Sequence, residues 1–249
     1  MNFSLPNVGF WKKALSAVSI MVEEGTFNFN TDGISFNALA PHHVTMVDLK
    51  VPKEAFESYS CDKEGQIHFS VSNMLRLLRS AGDESIHFTY DKDEGRVLME
   101  LKGAFKRTLS LPTLAPPEPR EEIKTPKLDP KVIFSVTSKD LKDILDGLSL
   151  VSNYVRFLAE PDCIIIETGE QLETASVSIE RGSERLLRLD IQEPSKSSFA
   201  LSYLTEMAKA GLGVAEQVTL SFGTNLPLKL EYLTKEAQLV YYMAPRIES

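Results

Sequence analysis

Apolar and polar residues alternate along most of this chain, and at four places the alternation gives way to a helical rhythm. Phe27 and Phe29, Ile34 and Phe36, Val47, Leu49 and Val51, and Ile86, Phe88 and Tyr90 each set apolar groups on one side of a short strand. A second series runs through Val132, Phe134 and Val136; Ala175, Val177 and Ile179; Leu187, Leu189 and Ile191; Val218, Leu220 and Phe222; and Leu228, Leu230 and Tyr232. Turn signals at Thr31-Asp32-Gly33, Asp91 to Gly95 and Gly223-Thr224-Asn225 separate the runs. Such short links predict antiparallel hairpins, because parallel strands need a long crossover. The 3.6-residue rhythm predicts helices over Phe10–Glu24, Val71–Ala81, Ser138–Leu148 and Ala200–Ala210.

The second half repeats the plan of the first at an offset of about 129 residues. A short strand precedes a helix; strands follow, then a second helix and further strands. Thr31-Asp32-Gly33 falls opposite Glu160-Pro161-Asp162. The pattern predicts an α+β chain of two similar domains, 1–114 and 131–249, joined by 115–130. Prolines at 112, 116, 117, 119, 126 and 130 make the joining stretch an extended connector. Its apolar Ile123 and Leu128 are expected to pin it to a domain face.

Each predicted helix has an apolar stripe and, opposite it, a stripe of small or cationic residues. Ala14, Leu15, Val18, Met21 and Val22 oppose Lys12, Ser16 and Ser19; Val71, Met74, Leu75 and Leu78 oppose Ser72, Arg76 and Arg79. Leu141, Ile144, Leu145 and Leu148 oppose Lys139, Lys142 and Asp146; Leu201, Leu204 and Ala208 oppose Ser202, Thr205 and Lys209. Set side by side, these faces would give one cationic surface suited to duplex phosphates without base reading. Asp143, Asp146 and Glu206 dilute it, so weak, salt-sensitive contact is expected.

Composition changes this picture little. A net charge of -8 over 249 residues argues at first against a nucleic-acid partner, but that objection concerns total charge, whereas binding depends on where the cations lie; no basic tail or Lys/Arg block is present. No run of about 18 apolar residues is present, so no membrane span is expected. The opening Met1-Asn2-Phe3-Ser4-Leu5-Pro6 lacks the regions of a signal peptide. Cys61 and Cys163 lie far apart with no CxxC pair, which favours a reducing compartment. Catalytic constellations are missing: no HExxH or P-loop occurs, and Gly211-Leu212-Gly213 follows a helix instead of opening one. His42 and His43 are adjacent and ill placed to share a metal. Asp91-Lys92-Asp93-Glu94-Gly95 starts like a calcium loop but reads better as a hairpin turn. No catalytic residue, metal or cofactor is expected.

Several segments carry a resemblance. Thr31-Asp32-Gly33-Ile34, the stretch Leu39 to Leu49 around His43, Phe199-Ala200-Leu201-Ser202-Tyr203-Leu204, Asn225-Leu226-Pro227-Leu228 and the final Tyr241-Tyr242-Met243-Ala244-Pro245-Arg246-Ile247-Glu248 are the most specific. Over essentially its full length the chain resembles sliding clamps of the proliferating-cell-nuclear-antigen type, archaeal members most closely. The resemblance implies a DNA-clamp fold, with antiparallel sheets outside and two helices per domain lining a ring of three subunits. It implies a DNA polymerase processivity factor that encircles duplex DNA and contains no enzyme activity. Partners would be DNA polymerase, the clamp loader, flap endonuclease and DNA ligase, held through short peptide motifs. Its location would be the cytoplasm or nucleoid of an archaeon, or the nucleus of a eukaryote.

The same resemblance places Lys12, Lys13, Arg76, Arg79, Lys139, Lys142 and Lys209 toward DNA, with the third helix in question because Asp143 and Asp146 stand where some members have arginine. It places a partner-peptide pocket at Leu39, His43, Val44, Met46, Ile123, Pro126, Leu128, Pro227, Tyr242, Ala244 and Pro245. Subunits would join by strand edges, Ala104–Leu111 against Thr174–Arg181, involving Arg79, Lys106, Arg107, Thr108, Asp143, Asp146, Ser176, Val177 and Ser178. Arg107 and Arg79 are expected to face Asp143 or Asp146 of a neighbour. Two other readings stay open: a checkpoint-type clamp subunit of a hetero-trimer, and a small-molecule hydrolase or transferase on a duplicated α+β scaffold.

Overall fold

The structure, a computed structural model, describes residues 1–115, 125–169 and 173–246. The chain forms two compact units: unit 1 is Met1–Pro41, Val47–Lys124 and Thr234–Gln238, and unit 2 is His42–Met46, Thr125–Leu233 and Leu239–Ser249. The units are therefore not strictly successive along the sequence. Segment His42–Met46 belongs with unit 2, where the Ala244 amide donates to Val44 O at 2.8 Å.

Unit 1 runs β1 (Asn2–Leu5), α1 (Val8–Ser19), β2 (Glu24–Asn30), β3 (Gly33–Leu39), β4 (Thr45–Pro52), a 3-10 turn, β5 (Ser58–Ser60), β6 (Gly65–Ser70), α2 (Val71–Leu78), β7 (Ser85–Asp91), β8 (Arg96–Lys102) and β9 (Lys106–Pro112). Strand order is β5-β1-β7-β8-β9 in one sheet and β4-β3-β2-β6 in the other. Alternation buries one side of each strand: β8 hides Val97, Met99 and Leu101, and β2 hides Phe27 and Phe29. Helix α1 packs beside α2 and buries Trp11, Ala14, Leu15 and Val18. Trp11 meets Phe3 edge-on at 5.3 Å, and Phe3 stacks on Phe88 at 4.6 Å.

Unit 2 repeats this with β10 (Val132–Thr137), α3 (Ser138–Ser149), β11 (Tyr154–Glu160), β12 (Cys163–Gly169), β13 (Thr174–Glu180), β14 (Arg188–Ile191), β15 (Ser195–Ala200), α4 (Leu201–Val214), β16 (Gln217–Phe222), β17 (Leu228–Leu233) and β18 (Gln238–Met243). The orders are β14-β10-β16-β17-β18 and β13-β12-β11-β15, the counterparts of the unit 1 sheets. All pairings described within these sheets are antiparallel, as the short links predict. The shift between equivalent helices is 130 positions, Val8 to Ser138 and Val71 to Leu201. The matching turns are therefore Thr31-Asp32 and Pro161-Asp162, one residue from the expected register.

Helix ends differ from the periodic reading where local bonding decides them. Helix α1 starts before Phe10 because the Asn7 side chain accepts the Gly9 amide at 2.6 Å. It stops at Ser19, although Met21 stays buried, because the Met21 amide turns back to Val18 O and Glu24 opens β2. Helix α2 ends at Leu78, with Arg79 and Ala81 in tighter turns behind it. Helix α4 continues four residues past Ala210, through two glycines. A Cβ on Gly211 would stand 2.0 Å from the buried Tyr232 ring, so that glycine lets helix and sheet approach closely. Val22, Leu75 and Ile144, expected to be buried, are half-buried.

Candidate nucleic-acid interface and subunit edges

In unit 1 the helical cations sit as their spacing demands. Ser72, Arg76 and Arg79 fall at i, i+4 and i+7 and are all exposed, as is Lys13 on α1. Lys12 is half-buried and donates from Nζ to Ala81 O at 2.6 Å, which ties α1 to the turn after α2. Neither α1 nor α2 contains an acidic residue.

Unit 2 presents another chemistry. On α3, Lys139 bonds Asp143 and Lys142 bonds Asp146, each one turn along the helix. Asp146 holds the Lys142 ammonium above its ordinary range, and Lys139 holds the Asp143 carboxyl below its own. Asp140 takes the Thr137 hydroxyl at 2.7 Å and Arg185 at 2.8 Å. On α4, exposed Lys209 shares its face with exposed Glu206.

Strand edges are the second feature. The edge of β6 is bonded by the Leu114 amide, which reaches His68 O at 2.8 Å. That of β15 is bonded by the amides of Arg246 (to Ser198 O, 2.7 Å) and Asn225 (to Lys196 O, 3.2 Å). Strands β5 and β14 are only three and four residues long. Strands β4 and β18 have hydrogen-bonded neighbours on both sides, which leaves β9 and β13 as the long open edges among the described residues, each seven residues with the same inside–outside alternation. Lys106 and Thr108 on β9, and Ser176 and Ser178 on β13, are exposed; Arg107 and Val177 are half-buried.

A groove of about 500 Å³ runs beside β13, between that strand and α3. Asp143, Ser176, Val177 and Ser178, four of the residues expected at a subunit interface, line it together with Ile144, Gly147 and Arg185. Asp146 is not among its lining residues. Arg107 has partners in its own unit, donating to Ser80 Oγ at 2.9 Å and to Glu84. Asp143 and Asp146 likewise have theirs, so pairing Arg107 or Arg79 with either across subunits exchanges existing bonds instead of filling vacant ones.

Of the eleven positions expected to form a docking pocket, nine lie in unit 2: His43, Val44, Met46, Pro126, Leu128, Pro227, Tyr242, Ala244 and Pro245. Val44 and Ala244 are joined by backbone. Met46 and Tyr242 are buried; Val44, Leu128, Pro227, Ala244 and Pro245 are half-buried; His43 and Pro126 are exposed. His43 has φ 58°, a left-handed conformation uncommon outside glycine. Leu39 lies in unit 1 and is exposed, and Ile123 lies outside the described residues.

Two sequence signatures match, "Proliferating cell nuclear antigen, N-terminal domain" over residues 1–107 and "Proliferating cell nuclear antigen, C-terminal domain" over residues 124–247. The chain belongs to the proliferating cell nuclear antigen family. Relatives include the DNA polymerase sliding clamps of Thermococcus onnurineus (28% identical) and Pyrococcus horikoshii (29%). Each alignment spans 94% of this chain and 93% of the relative. Solved proliferating cell nuclear antigens share the fold. That of Thermococcus kodakaraensis superposes with TM-score 0.91 at 24% identity, over 98% of this chain and 99% of its own. That of Entamoeba histolytica gives 0.90 at 18%, over 99% and 98%. The clamp fold of two tandem domains expected from the sequence is thus the fold observed.

Within this member of the proliferating cell nuclear antigen family, two exposed aromatic residues have settings that the periodic patterns do not reveal. Phe105, in the turn before β9, is 79% exposed, an unusual setting for a phenyl ring. Its signal is an aromatic outside any alternating run, beside an edge strand. Tyr203, on α4, packs its ring 4.4 Å from that of His42 and so braces the segment leading to His43.

Proposed function

We propose that this chain is a DNA polymerase processivity factor, three copies of which close into a ring around duplex DNA. The observation that carries the reading is the pair of open edges, β9 and β13, alike in length and alternation. Joining β9 of one copy to β13 of the next pairs both rows of backbone groups. It also brings exposed Phe105 toward the groove beside β13, where an aromatic anchor gains most from leaving water. Lys106 and Arg107 then approach a groove that holds Asp140 and Asp143.

A closed ring retains DNA by topology, so an acidic chain needs only loose contact through its helical cations, and loose contact permits sliding. Clients such as polymerase, clamp loader, flap endonuclease and DNA ligase dock through a short peptide with an aliphatic and aromatic residues. The unit 2 positions around Val44, Pro227 and Ala244 are its seat. The ring tethers; catalysis belongs to the clients.

Light scattering should give three times the 27.8 kDa chain mass. Primer extension by a cognate polymerase should lengthen on circular templates, and the gain should vanish on linear templates unless their ends are blocked. A monomer that gives no gain on circles overturns the reading.

A further inference from the structure

We propose that the helices of unit 1 carry this clamp's contact with duplex phosphates, while α3 of unit 2 is kept from taking phosphate by its own aspartates. The inference rests on the clamp reading above and specifies which residues meet DNA. Helices α1 and α3 are both 12 residues long and occupy equivalent places in their units. Their charges are opposed. Helix α1 has two lysines and no acid, whereas α3 has two lysines and three aspartates. Helix α2 carries Arg76 and is followed by Arg79, again without an acid, whereas Glu206 offsets Lys209 on α4.

Ion pairing sharpens the contrast. Among the described residues, no ion pair is made by Lys13, Arg76 or Arg79. The carboxylates that follow α2 are engaged elsewhere: Asp83 accepts from Asn7 at 3.1 Å, and Glu84 from Arg107 and the Gly82 amide. Glu23 and Glu24 stand beyond the end of α1, and Glu24 lies 4.0 Å from His68. Lys13, Arg76 and Arg79 are therefore available to attract phosphate and displace its counterions, whereas the Lys12 ammonium is held by Ala81 O.

A phosphate that reaches Lys142 stands well inside one Debye length, about 8 Å at physiological salt, of Asp146. It must either displace that carboxylate or share the ammonium with it, and both weaken the contact. Asp143 does the same for Lys139. The clamp then has one cationic strip per subunit, on the helices of unit 1.

The test uses the intact trimer and a short fluorescent DNA duplex, with affinity measured by anisotropy over a salt series. Replacing both Arg76 and Arg79 with Ala should weaken binding at low salt about ten-fold and flatten the slope of log K against log salt by about 1–2. Replacing both with Lys should restore the slope, which a merely structural role would not do. Replacing Lys139 and Lys142 with Ala should leave the slope unchanged, and Asp146→Asn should tighten binding about three-fold by releasing Lys142. If the lysine pair flattens the slope as much as the arginine pair, or Asp146→Asn has no effect, the proposal falls. A wild-type chain that is monomeric, or indifferent to duplex at every salt concentration, would instead remove the clamp reading beneath it.

Discussion

Helices α1 and α3 share a length, a place in the fold and an apolar stripe, yet one exposes cations and the other neutralises them. Duplication preserved what the core needs, which is Trp11, Leu15 and Val18 in one unit and Leu141, Leu145 and Leu148 in the other. Burial fixes those residues within narrow limits of volume. The outer faces are under no such limit and have diverged in charge. Edges β9 and β13 show the reverse: they come from non-equivalent places in the two units but have matching alternation. The backbone plan is common property of the units, and their outer surfaces are where they disagree.

The largest effect expected from breaking this contrast is at Phe105. Phe105→Asp should dissociate the trimer at micromolar concentration, a loss of at least 2 kcal/mol per contact as for a buried aromatic anchor. Leu150→Ser, at a side chain still more exposed (85%) but remote in sequence from either open edge, should leave the mass unchanged. Light scattering on dilution reads both.

Next is the helix–sheet approach in unit 2. Gly211→Ala puts a methyl into the Tyr232 ring and should destabilise the unit by about 1–3 kcal/mol, lowering the thermal midpoint by several degrees. Gly147→Ala, on α3 where a Cβ meets nothing within 4 Å, should stabilise by up to about 1 kcal/mol. That measurement belongs in the Phe105→Asp background, so that no neighbour occupies the groove. Equal effects at the two glycines would erase the distinction.

A smaller effect concerns the tyrosines of unit 2. Burial raises the phenols of Tyr232 and Tyr241 well above their usual range, and the Tyr232 hydroxyl has no hydrogen-bond partner among the described residues. A raised folded pKa means that the contribution to stability is complete below the unfolded value near 10 and is lost as pH rises beyond it. Tyr232→Phe should add about 1 kcal/mol at neutral pH and shift the alkaline unfolding limb upward, as read by chemical denaturation. The smallest effect is at Asp143→Asn. Its lysine partner is exposed, so the thermal midpoint of the monomeric variant should move by no more than about 1 °C.

Much of the fold is legible in the sequence because alternation and helical spacing are direct consequences of one-sided burial. The strand runs at Phe27 to Phe36 and at Val218 to Tyr232 are of that kind. Helix ends are less legible: Asn7 caps α1 through a bond that periodicity does not register, and α4 outruns its expected end because Tyr232 needs the glycine there. The candidate surfaces are legible in part. Spacing alone puts Arg76 and Arg79 on one exposed face. It cannot reveal that Lys139 and Lys142 are engaged by Asp143 and Asp146, since i,i+4 opposite charges are compatible with pairing or with independent solvation. Phe105 is illegible to periodicity because it lies in a turn, and the grouping of His42–Met46 with unit 2 depends on contacts distant in sequence.

The two open edges have a consequence for every client. A joint made from dissimilar surfaces repeats with one sense of rotation, so each copy in a closed assembly points the same way. Such a body has a front and a back. In the ring proposed above, proteins docking on the segment around Val44 and Ala244 would all stand on the same side, three at most, and compete for those places. Threading DNA through such a ring would therefore set a heading for whatever is attached.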